Sequence, residues 1–225
     1  MNLVLEDVVK AYGKKSVLDH ASYTFEEGKI YALLGRNGAG KTTLFNCINE
    51  DTDYEGKVVL DNGEKIMPDD IGYVLSEPVV PDFLTGREFL KFFLEVHGHD
   101  GAERKADEIL SAIGLEMDDA NRLMKEYSHG MKNKIQMAVI FAMKPKILLL
   151  DEPLTSLDVV ASEEMKDMLK GMKEGRIILL STHILDLAED LCDEIVLLKD
   201  GKLSAAGSTD DEAIREKILS ALMEN

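Results

Sequence analysis

The sequence predicts an α/β fold that combines a mostly parallel sheet with an antiparallel β part and a helical insertion. Short β-branched and apolar runs alternate with helical patterns along most of the 225 residues, which is typical of parallel strands joined by crossover helices. Two turns of hairpin type, Asp61-Asn62-Gly63 and Asp200-Gly201, imply antiparallel strands. Between residues 77 and 128 the pattern changes to amphipathic helix.

The strands are expected where apolar or β-branched residues run together or alternate. We place them near 2–9, 17–25, 29–34, 57–60, 65–67, 71–75, 147–151, 176–182, 194–199 and 202–206.

The insertion begins with a helix whose first turn is marked in the sequence. Thr85 and Glu88 fit a capping box ahead of EFLKFFLEVHG, and further amphipathic helices are expected near 102–113 and 116–126. We therefore expect one domain, residues 1–225. Its parts are a core of 1–76 and 129–207, a helical insertion of 77–128 and a short helical tail of 208–225.

Composition and charge exclude several classes of protein. The formal net charge is −17, which disfavours binding to nucleic acid or directly to an anionic membrane surface. Cys47 and Cys192 lie in apolar segments without metal or redox spacing, so we expect buried thiols in a reducing compartment. There is no signal-peptide pattern and no apolar run of membrane-spanning length. We expect a soluble, cytoplasmic protein.

The strongest motif is GRNGAGKT, Gly35 to Thr42, between an expected strand and an expected helix. This pattern is typical of a phosphate-binding P-loop, in which backbone N–H groups and the helix N-terminus hold the anion. Lys41 would reach the β- and γ-phosphates, and the Thr42 hydroxyl would bind Mg²⁺.

A second motif, ILLLDEP at residues 147–153, delivers two carboxylates at the end of an apolar strand. Asp151 suits the coordination sphere of Mg²⁺, and Glu152 can polarise an attacking water. A solvated pair of acids at a strand end is the common alternative. The P-loop in the same chain favours the catalytic interpretation.

Together, GRNGAGKT, SHGM, LLLDEP, SLD and STH occur in an order that resembles the ATP-binding subunit of ABC transporters, from Tyr12 to about Gly207. The resemblance implies a P-loop NTPase core and ATP hydrolysis with Mg²⁺. It assigns catalysis to Lys41, Glu152 and His183, and the metal to Thr42, Asp151 and Ser76. The implied nucleotide contacts are Tyr12, Gly35, Arg36, Asn37, Gly38, Ala39, Gly40, Lys41, Thr42, Thr43, Ser128, Gly130 and Asp158.

The stretch YSHGMKNK, residues 127–134, has two interpretations. On its own it is a helix N-terminus with Ser128 as N-cap and solvated Lys132 and Lys134. The resemblance makes it the signature turn, which in a head-to-tail dimer contacts the γ-phosphate bound by the other subunit.

Three further assignments also have structural alternatives. Tyr12, implied to stack on adenine, could be a strand-end tyrosine. Asp158, in the Ser156-Leu157-Asp158 segment implied to cross the dimer interface, could be an N-cap. A lone histidine such as His183 is usually structural, but its place at a strand end within this motif order favours the switch histidine.

Departures from the family pattern indicate a subfamily. Ser76 stands where the family has glutamine, followed by Glu77, while His129 and Met131 replace a glycine and a glutamine in the signature. The resulting SHGMK is similar to the signatures of subunits that serve drug, bacteriocin or lipid exporters.

We therefore expect an ATPase that dimerises on MgATP, with an identical copy or a paralogue, and drives a separate membrane permease from the inner face of the membrane. Two rivals remain. The first is an ABC protein acting on ribosomes or nucleic acid, which usually has two ATPase units and basic surfaces. The second is a scaffold ATPase that is not coupled to transport.

Overall fold

A computed structural model describes residues 1–155, 157–208 and 218. The chain forms two compact units. The sheet unit comprises residues 1–73, 146–152 and the described part of 170–225, and the helical unit comprises residues 74–145 and 153–169.

The elements follow one another in the order that the sequence pattern predicts, strands first and then helices inserted among strands. The strands are β1 (Asn2–Tyr12), β2 (Lys15–Glu26), β3 (Lys29–Leu34), β4 (Glu55–Leu60), β5 (Ile71–Val74), β6 (Ile147–Asp151), β7 (Ile177–Thr182), β8 (Glu194–Lys199) and β9 (Lys202–Ser208). The helices are α1 (Lys41–Ile48), α2 (Gly86–Val96), α3 (Ala102–Ala112), α4 (Met117–Ala120), α5 (His129–Met143), α6 (Val159–Met172) and α7 (Leu185–Leu191), with 3₁₀ turns at Pro68–Asp70 and Met124–Glu126.

Two sheets are formed. The larger has the strand order β5-β6-β7-β3-β8-β9, with parallel pairing from β6 through β7 and β3 to β8 and an antiparallel hairpin at β8–β9. The smaller, β2-β1-β4, is antiparallel. Since parallel strands end at the same edge, β3, β6 and β7 deliver the residues that follow them to one place.

Each unit has its own apolar core. The sheet unit packs Phe25, Phe45 and Leu149 with neighbouring apolar side chains of the strands and of α1. The helical unit packs Leu90 of α2 and Leu110 of α3 against apolar residues of α5. Burial of these helix faces, more than helix propensity, stabilises the short helices of the insertion.

Most of the predicted elements are confirmed. β3, β6 and β8 have the predicted bounds, the Asp200-Gly201 hairpin joins β8 and β9, and the capping box at Thr85 is formed. Both cysteines are buried free thiols, and no described helix is long and apolar enough to cross a membrane.

Three predicted elements are wrong. Residues 65–67 form no strand, and Asp61-Asn62-Gly63 is a turn that leads into the 3₁₀ turn at Pro68–Asp70 and not a hairpin. A proline directly after so short a segment favours a turn, because it fixes φ and removes a donor. The helix expected over 116–126 is only α4 and a 3₁₀ turn. The expected tail, 208–225, lies outside the described residues except at 208 and 218.

Candidate functional site

The loop between β3 and α1 is built for close backbone packing. Gly40 has a φ of 108°, and a Cβ placed there would lie 2.8 Å from Cγ1 of Val17. A Cβ on Gly35 would lie 2.8 Å from the carbonyl oxygen of Leu198. Both positions therefore require glycine. Gly35 to Gly40 form the loop, and Lys41, Thr42 and Thr43 form the first turn of α1.

Lys41 is folded back over this loop. Its side chain is only 6% exposed, and its ammonium donates to the carbonyl oxygens of Gly35 at 2.9 Å and Arg36 at 3.4 Å. Its Nζ lies 3.9 Å from the Glu152 carboxylate. Burial lowers the pKa of Lys41, while the charges of Glu152 and Asp151 oppose that shift. The cation is thus held at the mouth of the loop, close to both acids.

Asp151, the last residue of β6, is buried, and both of its carboxylate oxygens are held by hydroxyl groups. Thr42 Oγ1 donates to Oδ2 at 2.7 Å, and Ser181 Oγ donates to Oδ1 at 2.5 Å. Ser181 is the neighbour of Asp151 in the parallel β6–β7 pair. The carboxylate is therefore fixed in orientation, with Oδ2 turned toward the P-loop helix.

Glu152 adopts a left-handed backbone conformation, with a φ of 51°. Its N–H is shared between the carbonyl oxygen and the hydroxyl of Ser181, at 3.2 and 3.1 Å. Nδ1 of His183 lies 2.9 Å from Oε1 and 2.8 Å from Oε2 of the Glu152 carboxylate. A carboxylate held next to an imidazole and an ammonium can orient a water and accept its proton.

Tyr12 is 52% exposed at the end of β1. The ammonium of Lys10 lies 5.0 Å from the centre of its ring. Lys10 is only 7% exposed, and it donates to the carbonyl oxygen and the carboxylate of Asp53 at 2.6 and 2.9 Å. Its position over the ring is typical of a cation–π contact. The ring is thus supported from within the sheet unit and remains half-exposed.

A cavity of about 660 Å³ opens beside the tip of the P-loop. It is lined by the start of β2, by Arg36 to Ala39 and by the β8–β9 turn. Lys15, Val17 and Lys199 are among its walls, and no motif in the sequence points to these three residues.

In the helical unit, two predicted site residues cap helices. Ser128 Oγ accepts a hydrogen bond from the N–H of Met131 at 3.2 Å, and Asp158 Oδ1 accepts one from the N–H of Ala161 at 2.9 Å. The N–H groups of His129 and Gly130 donate to no acceptor in the described part of the chain. Ser128, Gly130 and Asp158 all line one cavity of about 530 Å³.

Two details correct or complete the expectations for this unit. Lys132 and Lys134 are not merely solvated, because they pair with Asp82 and Glu164, each at 3.2 Å. Ser156 lies outside the described residues, and Ser76 belongs to the helical unit, so its predicted metal role stays a prediction.

The sheet unit therefore brings together five residues that the sequence singled out, Lys41, Thr42, Asp151, Glu152 and His183. Their roles stay predictions. Sequence reasoning missed Ser181, which contacts both acids, and Lys10, which supports Tyr12. A hydroxyl inside β7, which is otherwise apolar up to Leu180, was the available signal for Ser181, since a buried polar group needs partners.

Comparisons with known proteins agree with this geometry. Residues 18–155 match the family described as ABC transporter. The chain is 34% identical over 208 residues to the uncharacterized ABC transporter ATP-binding protein YxlF of Bacillus subtilis. That alignment covers 91% of this chain and 70% of YxlF. It is 31% identical over 205 residues to the lantibiotic transport ATP-binding protein SrtF of Streptococcus pyogenes, covering 89% and 88%.

The fold also matches a solved structure, that of the ATP-binding cassette MJ0796 in a dimeric, post-hydrolysis state bound to ADP and Pi. The TM-score is 0.79 at 27% identity, over 90% of this chain and 96% of that one. Since the family match spans more than half of the chain and the relatives include ATP-binding proteins at 31–34% identity, the chain belongs to the ABC transporter family as an ATP-binding subunit with an ATPase fold.

Proposed function

We propose that this chain is the ATP-hydrolysing motor of an exporter, and that it closes as a head-to-tail dimer on two MgATP to drive a separate membrane permease. The observation that carries the proposal is the convergence of Lys41, Thr42, Asp151, Glu152 and His183 at the ends of β3, β6 and β7. In-line attack of water on a phosphoryl group needs positioning and charge neutralisation more than covalent chemistry. These five side chains supply both.

The nucleotide is held by the loop and first turn, from Gly35 to Thr43. Lys41 leaves the two carbonyl oxygens that it now contacts and neutralises the β- and γ-phosphates. Its buried position favours this exchange, because a phosphate compensates the desolvated ammonium better than carbonyl groups do. Adenine stacks on the exposed face of Tyr12.

The residues present fit Mg²⁺. A threonine hydroxyl and a fixed carboxylate oxygen lie 2.7 Å apart, and this hard cation prefers a few oxygen ligands together with phosphate and water. Thr42 and Asp151 would hold it, and Ser76 is a predicted further ligand. When bound, the ion neutralises charge that develops on the phosphates.

Glu152 orients the attacking water and accepts its proton, and His183 contacts the γ-phosphate. The contact between Nδ1 of His183 and the Glu152 carboxylate supports these roles, because each side chain restrains the other next to Lys41. The His183 side chain is 42% exposed, so a bound γ-phosphate could reach it and replace the Glu152 carboxylate as its partner.

The helical unit supplies the other half of the site in trans. The N–H groups of His129 and Gly130, which donate to no acceptor among the described residues, suit an anion together with the hydroxyl of Ser128 and the positive end of α5. The dimeric cassette MJ0796 supports the assembly. With a charge of −17 per copy, two copies repel each other, so we expect association to require ATP. Asp158 would lie at this interface.

Coupling to a permease is supported by relatives such as SrtF, which is named as a transport protein. The permease would hold the motor at the inner face of the cell membrane and select a drug, peptide or lipid for export. The insertion, expected over 77–128, would receive a cytoplasmic helix of the permease. The alternative is an ABC-family ATPase that acts on ribosomes or as a scaffold.

The first test is ATP hydrolysis by the purified chain, with and without Mg²⁺. We expect Mg²⁺-dependent turnover that Lys41→Ala abolishes and that Lys57→Ala, at an exposed lysine of β4, leaves unchanged. Normal turnover by Lys41→Ala would contradict the phosphate-binding role. Purification from native membranes should recover the chain with a multispanning membrane protein, whereas recovery with ribosomes would favour the alternative.

A further inference from the structure

Ser181 occupies an unusual position in the sheet unit. It lies in β7, where every residue from Ile177 to Thr182 is buried, and its own exposure is 0%. A hydroxyl in such an environment costs free energy unless it is hydrogen-bonded. The partners that Ser181 uses are the two acids of the site.

The hydroxyl of Ser181 makes two hydrogen bonds of opposite sense. It donates to Oδ1 of Asp151 at 2.5 Å and accepts from the N–H of Glu152 at 3.1 Å. The first bond fixes the plane of the Asp151 carboxylate, so that Oδ2 alone is turned to Thr42. The second helps to hold Glu152 in its left-handed conformation, which directs its side chain to His183.

We propose that Ser181 is a positioning residue that couples the metal side of the site, Thr42 and Asp151, to the water side, Glu152 and His183. The inference rests on the proposed function. Groups that orient a metal ligand through a hydrogen bond typically change metal affinity or activity by 10- to 100-fold when removed. Ser181 acts on the metal ligand and on the base at once.

The test measures metal binding directly. Mn²⁺ binding is followed by electron paramagnetic resonance in the presence of a non-hydrolysable ATP analogue, and turnover is measured separately. In Ser181→Ala, we expect Mn²⁺ affinity to fall about tenfold. At saturating metal, kcat should also fall about tenfold while KM for ATP stays within about twofold, because Lys41 and the loop are unchanged.

Thr182→Val is the matched control. It removes the next buried hydroxyl of β7, which accepts from the N–H of Ile184 at 3.1 Å. Among the hydrogen bonds of the described residues, none joins this hydroxyl to either acid. We expect its Mn²⁺ affinity to equal that of the unmodified chain.

Two results would overturn the inference. One is Mn²⁺ affinity in Ser181→Ala within twofold of the unmodified chain, and the other is an equal loss in Thr182→Val. Failure of the proposed function looks different, because the unmodified chain itself would then bind no Mn²⁺ with the analogue.

Discussion

The two units use their polar motif side chains in opposite ways. In the sheet unit, hydrogen bonds join residues far apart in sequence, such as Thr42 with Asp151, 109 positions away. In the helical unit, Ser128 and Asp158 bond to N–H groups only three positions along the chain. The first unit holds a closed network that positions its acids. In the second, Ser128 and Asp158 serve as local caps, and the N–H groups of His129 and Gly130 donate to no acceptor among the described residues, which suits half of a shared site.

The largest expected effect tests whether the sheet unit carries the chemistry. Glu152→Gln keeps size and hydrogen bonding but removes the charge of the proposed base. Turnover should fall on the order of 10²-fold or more, while ATP affinity is kept or rises slightly, because repulsion from the γ-phosphate is relieved. Phosphate release and nucleotide titration measure the two quantities.

Glu174→Gln, at an exposed glutamate of the sheet unit, is the control for this variant. If Glu152→Gln hydrolyses ATP at the unmodified rate, Glu152 is not the base.

The next prediction tests the helical unit as a half-site. With hydrolysis blocked by Glu152→Gln, light scattering should show a monomer without nucleotide and a dimer with ATP. Adding Ser128→Arg should dissolve the dimer, since the arginine fills the place of the partner's phosphate. Ser128→Asp should do the same by repelling the phosphate, and aspartate still caps α5. Nucleotide binding by the monomer should not change in either variant.

Ser111→Arg, at an exposed serine of α3, is the matched control and should leave the ATP-bound dimer intact. Persistence of the dimer in both Ser128 variants would show that the signature turn does not contact the nucleotide in trans. A tight dimer in the absence of ATP would contradict the role given to charge repulsion.

The smallest expected effect concerns the support that Lys10 gives to the Tyr12 ring in the sheet unit. Lys10→Met removes the cation beneath Tyr12 and should weaken ATP binding by roughly two- to fivefold, corresponding to about 0.5–1 kcal/mol for a cation–π contact. Binding of tripolyphosphate, which has no base, should be unaffected. Titration calorimetry measures both ligands.

Lys57→Met serves as the control for Lys10→Met, since Lys57 is exposed and pairs with Glu6 on the neighbouring strand. Equal weakening of ATP binding and tripolyphosphate binding would mean that Lys10 affects the phosphate-binding loop and not the stacking of adenine on Tyr12.

The same contrast explains what could be predicted from sequence. The strand Ile147–Asp151 and the helix cap at Thr85 could be predicted, because each depends on residues only a few positions apart in the sequence. Ser181 was missed because its partners are 30 and 29 positions away, so that only the pairing of β6 with β7 reveals them. The strand at 65–67 and the long helix at 116–126 were over-predicted from composition, where turn-forming residues and tertiary context decided the outcome.

The backbone conformation of Glu152 limits which substitutions this position tolerates in a subunit that has lost hydrolysis. With φ at 51°, the position disfavours β-branched residues by roughly 1–2 kcal/mol, whereas glycine, asparagine and aspartate fit it readily. Lineages that lose hydrolysis but keep a folded, nucleotide-binding subunit should therefore accumulate those small residues at 152, and rarely valine, isoleucine or threonine. The left-handed conformation that orients the Glu152 carboxylate therefore also determines which inactive variants at this position remain stable.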